Sequence, residues 1–400
     1  MYIKKLMAIG TCMSLIAVCV HAEEKRYDPG VTDTSIRIGN TMAYSGGLSA
    51  YSAIGKTEAA YFRMVNDKGG INGRKIEFIS LDDGYSPPKT VEQTRKLVEQ
   101  DEVFAMVGSL GTPTNIAVQK FLNLRKVPQL LPYSGASRWN DAKTYPWTTG
   151  SQPSYITEGA VYARWIIANK PDAKIAVMTP NDDAGRDYLR GFKQGLGDHV
   201  KQIVAETVYV STDPTVDSQI VTLKSSGADV FFDECTPKFA AQAIRKAAEI
   251  GWKPQIILPT VSNSVSAVLE PAGLETATGI VTGVYLKDPT DPKWDDDPEM
   301  KAFRDFMKTY NPSADIGEIY NVSGYVFAQL AALELSQLGN EVTRENLIKQ
   351  AQSLHDVSIP MLLPGIRINT SPDQVTPVRQ LQMARFDGKS WVLFGAVLGE

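Results

Sequence analysis

Histidine and cysteine are scarce in this chain of 400 residues, which has three of each. Three of these six residues fall within the first 22 positions. The histidines that remain, His199 and His355, have no cysteine or acidic partners at the spacing of a metal site. Cys235 alone cannot form an internal disulfide, and no GxSxG nucleophile elbow occurs. We therefore predict no catalytic residues, no metal and no cofactor.

Long hydrophobic runs are also missing, apart from one near the start of the sequence. Leu6–Val20 is apolar but shorter than the roughly 20 residues that span a bilayer. Lys4 and Lys5 precede it, and the following His21-Ala22 completes a pattern that resembles the cleavage site of a secretory signal peptide. We predict that residues 1–22 are a cleaved signal and that a periplasmic mature chain starts near Glu23. Threonine and valine precede the two cysteines of this segment, where a lipoprotein signal needs a small residue, which disfavours lipid anchoring.

An excess of positive charge is absent. The net charge is −4, and removal of Lys4 and Lys5 subtracts two positive charges and gives −6. This balance gives no reason to expect a nucleic acid or an anionic membrane as a partner. A hydrophobic content of 43% and a charged content of 22% are ordinary for a soluble globular protein. A chain of 400 residues is long enough for two domains.

The stretch from Ile36 to Ile76 organises the fold that we predict. Ile36 and Ile38 alternate with polar residues, as in a half-buried strand, and a glycine-containing loop follows. A helical stripe of apolar residues then ends at Gly69-Gly70, because glycine adopts the left-handed cap conformation without steric penalty. The Asn72-Gly73 turn leads into the next strand. This βαβ pattern predicts two parallel strands with a right-handed connection, and a ligand near the loop after the first strand.

Strands and helices keep alternating along the rest of the chain, without a long linker or a low-complexity tract. One helix is predicted to start at Thr112-Pro113, because threonine is a good N-cap and proline suits the first helical position. The last part is typical of two β segments joined at Asp387-Gly388. The predicted further strands cover residues 103–108, 127–133, 174–179, 204–210, 229–235, 255–258, 279–286 and 380–397.

Five segments resemble one known family. They are IRIGNTMAYSG (36–46), NDKGGINGRKI (66–76), VFAMVGSLGT (103–112), VPQLLPYSGAS (127–137) and NDDAG (181–185). Together they are similar to the periplasmic substrate-binding proteins of branched-chain amino acid-type ABC transporters. The resemblance covers nearly all of the chain after the signal. It implies an α/β fold of two doubly wound parallel-sheet lobes joined by a three-crossing hinge, like a type I periplasmic binding protein.

The resemblance also implies how the chain divides. Carried over to this sequence, the first lobe comprises residues 31–150 and 287–358. The second lobe comprises residues 151–286 and 359–400. The crossings between them are expected near residue 150, near residues 281–286 and near residues 359–367.

The function implied by the resemblance is capture of a small carboxylate and its delivery to the membrane permease of an ABC importer. Loops after parallel strands converge at one edge of each sheet, so two facing edges form a cleft that closes over a ligand. We expect a monomer without a nucleic-acid partner. Two other classes stay open, namely a ligand-sensing module of the same fold and an α/β enzyme that uses Asp82, Asp83 or Asp183.

Thr112 is the main candidate for ligand contact in the first lobe. Backbone N–H groups are unpaired at the helix start that it marks, and such an end favours an anion. In the resembling family, the hydroxyl residue at this motif position contacts the ligand carboxylate. The alternative is a threonine that only caps its helix. Ser45, Ser109 and Leu110 are further candidates in the loops of this lobe.

Two more first-lobe positions are candidates by resemblance. Family members place a hydroxyl residue at the position of Ser137, on the same charged end of the ligand, with the backbone of Gly135 and Ala136 beside it. The alternative is a turn residue that faces solvent. Tyr51 follows the first loop at the spacing that the family uses for a tyrosine lining the cleft, although aromatic residues more often pack in a core.

The second lobe departs from the family pattern. Ala184, which follows Asp183, stands where amino acid-binding relatives usually have an aromatic residue, and Thr236 stands at another such place. Thr260 occupies the position of a glutamate that meets the ligand ammonium in those relatives. We nevertheless include Asp183, Ala184, Thr236 and Thr260 among the predicted ligand-binding residues.

These departures predict the ligand class. Because a buried unpaired charge is expensive, the lack of an anion at Thr260 argues against an ammonium group. We predict a small aromatic or other organic acid without an α-amino group, and the chain also resembles a branch of the family that takes up lignin-type aromatic acids. Glu234 could instead meet an ammonium, or could be a peripheral salt-bridge partner. A branched-chain or other amino acid therefore stays open as the ligand.

Overall fold

The structure is a computed structural model that describes residues 25–399. The predicted signal peptide, with Cys12, Cys19 and the cleavage site before Glu23, lies outside the described residues. Within the described range, no helix combines the length and the apolar character needed to cross a membrane. The strands are β1 (Arg26–Tyr27), β2 (Ser35–Met42), β3 (Lys75–Asp82), β4 (Ala105–Val107), β5 (Gln129–Leu130), β6 (Ile175–Pro180), β7 (Ile203–Tyr209), β8 (Val230–Asp233), β9 (Gln255–Leu258), β10 (Val281–Val284), β11 (Glu341–Val342), β12 (Gln380–Phe386) and β13 (Trp391–Gly399). The helices are α1 (Ser52–Asp67), α2 (Pro87–Glu99), α3 (Thr112–Leu124), α4 (Tyr155–Asn169), α5 (Asp183–Leu196), α6 (Asp217–Ser225), α7 (Pro237–Glu249), α8 (Glu270–Ala272), α9 (Leu274–Ala277), α10 (Pro298–Tyr310), α11 (Ile319–Ser336) and α12 (Arg344–Ala351).

Two separate sheets form the centres of two α/β lobes. The first sheet has four parallel strands in the order β3-β2-β4-β5. The predicted βαβ unit is confirmed, since β2 and β3 pair in parallel from Ser35 with Lys75 to Met42 with Asp82. The second sheet has seven strands in the order β13-β12-β10-β9-β8-β6-β7. It is mixed rather than purely parallel, because β12 runs antiparallel to β10 and the hairpin β12-β13 is added at the edge.

The chain crosses between the lobes after β5, after β10 and after α12. The second and third crossings run side by side, since the Lys287 N–H donates to the Met361 carbonyl and the Leu363 N–H donates to the Tyr285 carbonyl, both at 2.9 Å. At the first crossing, the Gly150 N–H donates to a carbonyl of the third crossing segment, at Val375. These bonds join the three segments into one hinge. The residue boundaries of the two lobes remain predictions.

The strand predicted over residues 127–133 is limited to Gln129–Leu130. Leu131 adopts a left-handed backbone with φ of 55°, and Pro132 has no N–H to donate to a neighbouring strand. The ladder therefore ends early, and the segment from Leu131 onward forms a loop at the edge that faces the second lobe. This loop carries Tyr133 and Ser134.

Thr112 is not the N-cap that was predicted. Gly111, with φ of 95°, occupies the position before the helix, and Thr112 is the first residue of α3 with Pro113 behind it. A side chain at residue 111 would be strained by this φ and would meet Tyr85, whose Cζ lies 2.9 Å from the place of a Cβ. The glycine therefore takes the cap position, and the Thr112 hydroxyl is left for another partner.

Helices α4 and α5 of the second lobe pack so closely that glycine is needed between them. A Cβ on Gly195 of α5 would lie 2.6 Å from the Ala160 carbonyl oxygen and 2.7 Å from the Ala160 Cα. A Cβ on Gly159 of α4 would lie 2.5 Å from the Tyr188 carbonyl oxygen. This contact fixes the position of α5, whose first residues face the first lobe.

We predict that Gly195→Ala lowers the free energy of unfolding by about 1–3 kcal/mol, because backbone atoms of α4 cannot move aside for the methyl group. In an open helix the same change usually stabilises the protein. The measurement is urea unfolding of the ligand-free protein. Gly47→Ala is the control, since the nearest atom to its Cβ would be Lys238 Cδ at 3.8 Å. Equal unfolding midpoints for the two variants would contradict the close packing described here.

Candidate ligand-binding site

A small cavity of about 30 Å³ lies between the lobes, where the carboxyl ends of their parallel strands face each other. Every residue on its walls lies at the end of a strand, in the loop that follows a strand, or in the first turn of a helix. The first lobe contributes Tyr51, Tyr85, Leu110, Gly111, Thr112 and Tyr133. The second lobe contributes Tyr155, Pro180, Asp182, Ala184, Glu234, Thr236 and Val261.

Five of the predicted ligand-binding residues line this cavity, namely Tyr51, Leu110, Thr112, Ala184 and Thr236. The other seven lie outside its walls. They are Ser45, Ser109, Gly135, Ala136, Ser137, Asp183 and Thr260. The part that any of the twelve plays in ligand binding remains a prediction.

Ser45 and Ser109 are occupied within the first lobe. The exposed Ser45 donates its hydroxyl to Asp82 Oδ2 at 2.6 Å, and its N–H also meets that carboxylate. The buried Ser109 Oγ accepts the Thr41 N–H at 3.1 Å. Both serines therefore shape loops at the strand ends, and neither hydroxyl lines the cavity.

Ser137 connects the two lobes instead of lining the cavity. Its N–H and its hydroxyl donate to the two carboxylate oxygens of Asp187 on α5, at 2.6 and 3.1 Å. Arg190 donates to the Ser137 Oγ at 2.9 Å and to Asp187 Oδ1 at 2.6 Å. Ala136 and Asp183 lie beside them in an outer groove that also contains Arg186, the ion-pair partner of Asp183. The Ser137 hydroxyl thus donates across the interface between the lobes.

The hydroxyl of Thr112 has its hydrogen free for the cavity. Ser134 Oγ accepts from the Ala136 N–H at 3.2 Å and from the Trp139 Nε1–H at 2.9 Å, which uses both of its lone pairs. The 2.7 Å contact between Ser134 Oγ and Thr112 Oγ1 must therefore carry the Ser134 hydrogen toward Thr112. Sequence reasoning missed Ser134 as a supporting residue, although it lies in the Ser-Gly-Ala-Ser loop that was singled out.

Tyr85 is a cavity residue that sequence reasoning missed. It has a left-handed backbone with φ of 60°, which is strained for an aromatic residue and costs about 1–3 kcal/mol. The Asp83 carboxylate holds it there by accepting the Tyr85 N–H at 2.8 Å. An available signal was the Asp-Gly-Tyr sequence directly after a predicted strand, because short polar residues and glycine tolerate this conformation.

Four tyrosine rings give the cavity aromatic walls. The Tyr51 hydroxyl donates to the Val261 carbonyl of the second lobe at 2.9 Å, and Tyr320 donates to the same oxygen at 2.9 Å. Tyr133 packs 5.8 Å from the Tyr51 ring, centroid to centroid. Burial raises the pKa of Tyr51 well above its ordinary value, so its hydroxyl keeps its proton. Aromatic side chains from both lobes therefore meet around the cavity.

Thr260 donates to a buried glutamate. Its N–H and hydroxyl donate to the Glu158 carboxylate at 2.6 and 3.0 Å, and Tyr162 and Tyr188 donate to it at 2.6 and 2.9 Å. Burial raises the pKa of Glu158 above its ordinary value, and these four hydrogen bonds only partly offset the rise. A carboxylate is thus present beside Thr260, but it comes from α4 and its oxygens are already paired.

Glu234 and Asp182 bring carboxylates to the cavity wall. Asp182 caps α5 by accepting the N–H groups of Ala184 and Gly185 at 2.8 and 3.2 Å. Glu234 is 3% exposed, and its Oε2 has no hydrogen-bond partner among residues 25–399. Burial, followed by the nearby Asp182 charge, raises the pKa of Glu234 well above its ordinary value. No lysine, arginine or histidine is among the residues that line the cavity.

The acids considered for an enzyme are engaged elsewhere. Asp82 accepts from Ser45 and Lys89, which hold its pKa well below the ordinary value despite some desolvation. Asp83 accepts from Thr90 and Tyr85. In the described part of the chain, no group of three or more histidine, cysteine, aspartate or glutamate residues is arranged to hold a metal ion.

Comparison with known sequences agrees with this architecture. Residues 35–390 match a family model described as periplasmic binding protein. A Leu/Ile/Val-binding protein homolog 1 of Brucella abortus (strain 2308) is 27% identical over 320 residues, which are 78% of this chain and 80% of that protein. This relative is similar over most of both chains.

Solved structures share the fold. A branched-chain amino acid ABC transporter protein from Thermus thermophilus with bound valine has a TM-score of 0.83 at 15% identity, and covers 92% of this chain and 98% of its own. A solute-binding protein from R. palustris in complex with benzoate has a TM-score of 0.76 at 21% identity, with 92% and 98% covered. Identities this low show the fold alone. The family model, in contrast, spans most of the sequence, and the chain therefore belongs to the periplasmic binding protein family.

Proposed function

We propose that this binding protein captures a small carboxylate, an aromatic or other organic acid, in the cavity between its lobes and delivers it to the membrane permease of an ABC importer. The observation that carries the proposal is the place of the Thr112 hydroxyl, on the cavity wall at the start of α3 and 2.7 Å from the Ser134 Oγ. The positive end of the helix and this donor act on the same point of the cavity wall. A ligand carboxylate suits this point better than a neutral or cationic group does.

The tyrosine walls suit the body of such a ligand. Tyr51, Tyr85, Tyr133 and Tyr155 surround the cavity, and each ring offers a flat apolar surface. Stacking of an aromatic ligand on one such ring contributes about 0.5–1.5 kcal/mol beyond the area that it buries. Ala184 lies on the wall of the second lobe, where a larger side chain would reduce the cavity.

The absence of a free anion at Thr260 supports an acid without an α-amino group. The hydroxyl and the N–H of Thr260 are both used by Glu158, so an ammonium placed there would find four competing donors around one carboxylate. Valine and benzoate each occupy one solved protein of this fold, so both chemistries occur on the same architecture. For this chain, the hydrogen bonds of Thr260 to Glu158 favour an acid without an amino group, such as benzoate, over an amino acid.

An amino acid is the second candidate, and one observation favours it. Glu234 lines the cavity with an unpartnered carboxylate oxygen, which an ammonium group could pair. A calorimetric screen of acids against their amino-acid analogues, such as phenylpropionate against phenylalanine, tests the two candidates. Tighter binding of the amino acids throughout would reverse our preference. Recovery of a chemically changed ligand after long incubation would instead indicate an enzyme.

We predict that Thr112→Val weakens binding of the best acid by about 1–3 kcal/mol, which is about 5- to 150-fold in Kd, because the carboxylate loses one donor. Calorimetric titration measures the change. Thr94→Val is the matched control, since it removes a fully buried hydroxyl of α2 that has no partner among the described residues and does not line the cavity. Wild-type affinity in Thr112→Val would remove Thr112 from the site.

We predict that Asp187→Ala shifts the ligand-free protein toward an open form, because Ser137 loses the acceptor that connects it to α5. Small-angle scattering should give a larger radius of gyration than wild type without ligand and the same radius at saturation. Affinity should fall as the closed population falls. Glu206→Ala is the control, since its ion pair with Lys193 stays within the second lobe. A wild-type radius for ligand-free Asp187→Ala would exclude this role of the contact.

A further inference from the structure

One carboxylate on the cavity wall has an oxygen without a partner. Glu234 follows β8 directly, is 3% exposed, and keeps its Oε2 unpaired within the described residues. The charged groups that act on it are all acids, namely Asp182, Glu158 and Asp233, so no basic side chain compensates it. A buried polar atom without a hydrogen bond reduces stability, and natural proteins retain few of them.

None of the neighbouring acids combines an unpaired oxygen with a place on the cavity wall. Glu158 receives four donors from Tyr162, Tyr188 and Thr260. Asp182 receives two backbone N–H groups at the start of α5. Asp233 also lacks partners among the described residues, but it does not line the cavity. Glu234 is therefore the acid that combines a free acceptor with a place on the cavity wall.

Both carboxylates of the cavity wall belong to the second lobe, which also contributes the hydroxyls of Tyr155 and Thr236. The first lobe offers donors, through the Thr112 hydroxyl and the start of α3. The second lobe offers acceptors, through Glu234 and Asp182. A ligand that satisfies both walls presents an acceptor to the first lobe and a donor to the second.

We propose that Glu234 is a specificity-determining residue that accepts a hydrogen bond from a donor group of the ligand, a hydroxyl or an ammonium, carried in addition to its carboxylate. The inference rests on the proposed function and adds a required donor to the ligand class. Either donor supplies the partner that Oε2 lacks. An acid without a donor leaves Oε2 buried and unpaired in the complex.

The test compares ligands in pairs that differ by one donor. The probes are 3- and 4-hydroxybenzoate against benzoate, and valine against 3-methylbutanoate, titrated calorimetrically into the wild-type protein. In at least one pair, the donor-bearing acid should bind about tenfold more tightly or better, as expected for a hydrogen bond to a charged or strongly polar acceptor. In Glu234→Met, the two acids of that pair should bind with dissociation constants that differ by no more than about threefold.

Glu234→Gln separates the two kinds of donor. Glutamine keeps an acceptor oxygen but loses the negative charge. If the donor is a hydroxyl, most of the affinity ratio survives in Glu234→Gln and disappears in Glu234→Met. If the donor is an ammonium, the affinity ratio disappears in both Glu234→Gln and Glu234→Met.

A stability measurement distinguishes a ligand-binding role from a structural one. The melting temperature of ligand-free Glu234→Gln should equal or exceed that of wild type, because the carboxylate that it removes has an unpaired buried oxygen. Glu158→Gln should melt at a lower temperature, since glutamine cannot accept the four donors around Glu158. A fall for Glu234→Gln as large as that for Glu158→Gln would overturn the proposal.

Two binding outcomes also overturn it. In one, the donor-free acid binds as tightly as its partner in every pair, which leaves the proposed capture of carboxylates intact and removes only the role of Glu234. In the other, the affinity ratio persists in Glu234→Met. If none of the acids binds wild-type protein, the proposed carboxylate function itself fails, and the inference on Glu234 fails with it.

Discussion

The direction of the strands is the constraint on which the cavity depends. Parallel strands end at the same edge of a sheet, and in both lobes that edge faces the other lobe. Each strand end therefore delivers one short loop to the cavity, and the loops need only a few residues to reach it. Leu110 to Thr112 follow β4, for example, and Glu234 follows β8 with no residue between. The same edge also collects helix starts, such as that of α3, whose dipoles point at the ligand space.

Burial of carboxylates is the main electrostatic problem of the second lobe. Glu158 shows one solution, in which a buried acid gathers four donors from three residues, which lie on α4, on α5 and in the turn after β9. Asp233 and Glu234 are buried acids without such donors. Asp233 ends β8, Glu234 comes directly after it, and each has at least one oxygen without a partner among the described residues. Burial raises the pKa of Asp233 to about 8. A raised pKa keeps Asp233 largely neutral, which limits the penalty of burying it, whereas a ligand donor beside Glu234 would favour the charged form of that acid.

Much of the fold follows from patterns in the sequence. Periodicity and glycine-containing turns predict the βαβ unit at 36–76 and most later strands, because those signals are local. The early end of β5 is harder to predict, since it depends on a left-handed Leu131 that tertiary contacts impose. Similarly, Gly111 takes the cap of α3 from Thr112 because Tyr85 packs against it, and Tyr85 comes from a distant loop.

The site was less predictable than the fold for the same reason. Tyr51, Leu110, Thr112, Ala184 and Thr236 line the cavity because they follow strand ends, which periodicity indicates. Ser137 also follows a strand, but the position of α5 brings Asp187 within reach of it, and no local pattern encodes that distance. Tyr155 lies on the wall as the first residue of α4, where a sequence pattern shows an ordinary helix start.

The contacts between the lobes bear on affinity as much as the cavity does. Ser137 with Asp187, Tyr51 with Val261, and Glu318 with Ser264 and Ser266 each join one lobe to the other by hydrogen bonds. Because each of these bonds joins one lobe to the other, separation of the lobes at these points would break it, and the bonds favour the closed form whether or not a ligand is present. A ligand adds its own differential contacts, and only that difference shifts the population. If the bonds between the lobes were too strong, the empty protein would close and exclude its ligand; if they were too weak, ligand binding would have to supply all the free energy of closure. A hydrogen bond contributes about 1 kcal/mol net. A few such bonds between the lobes can therefore supply part of the free energy of closure without closing the empty protein completely.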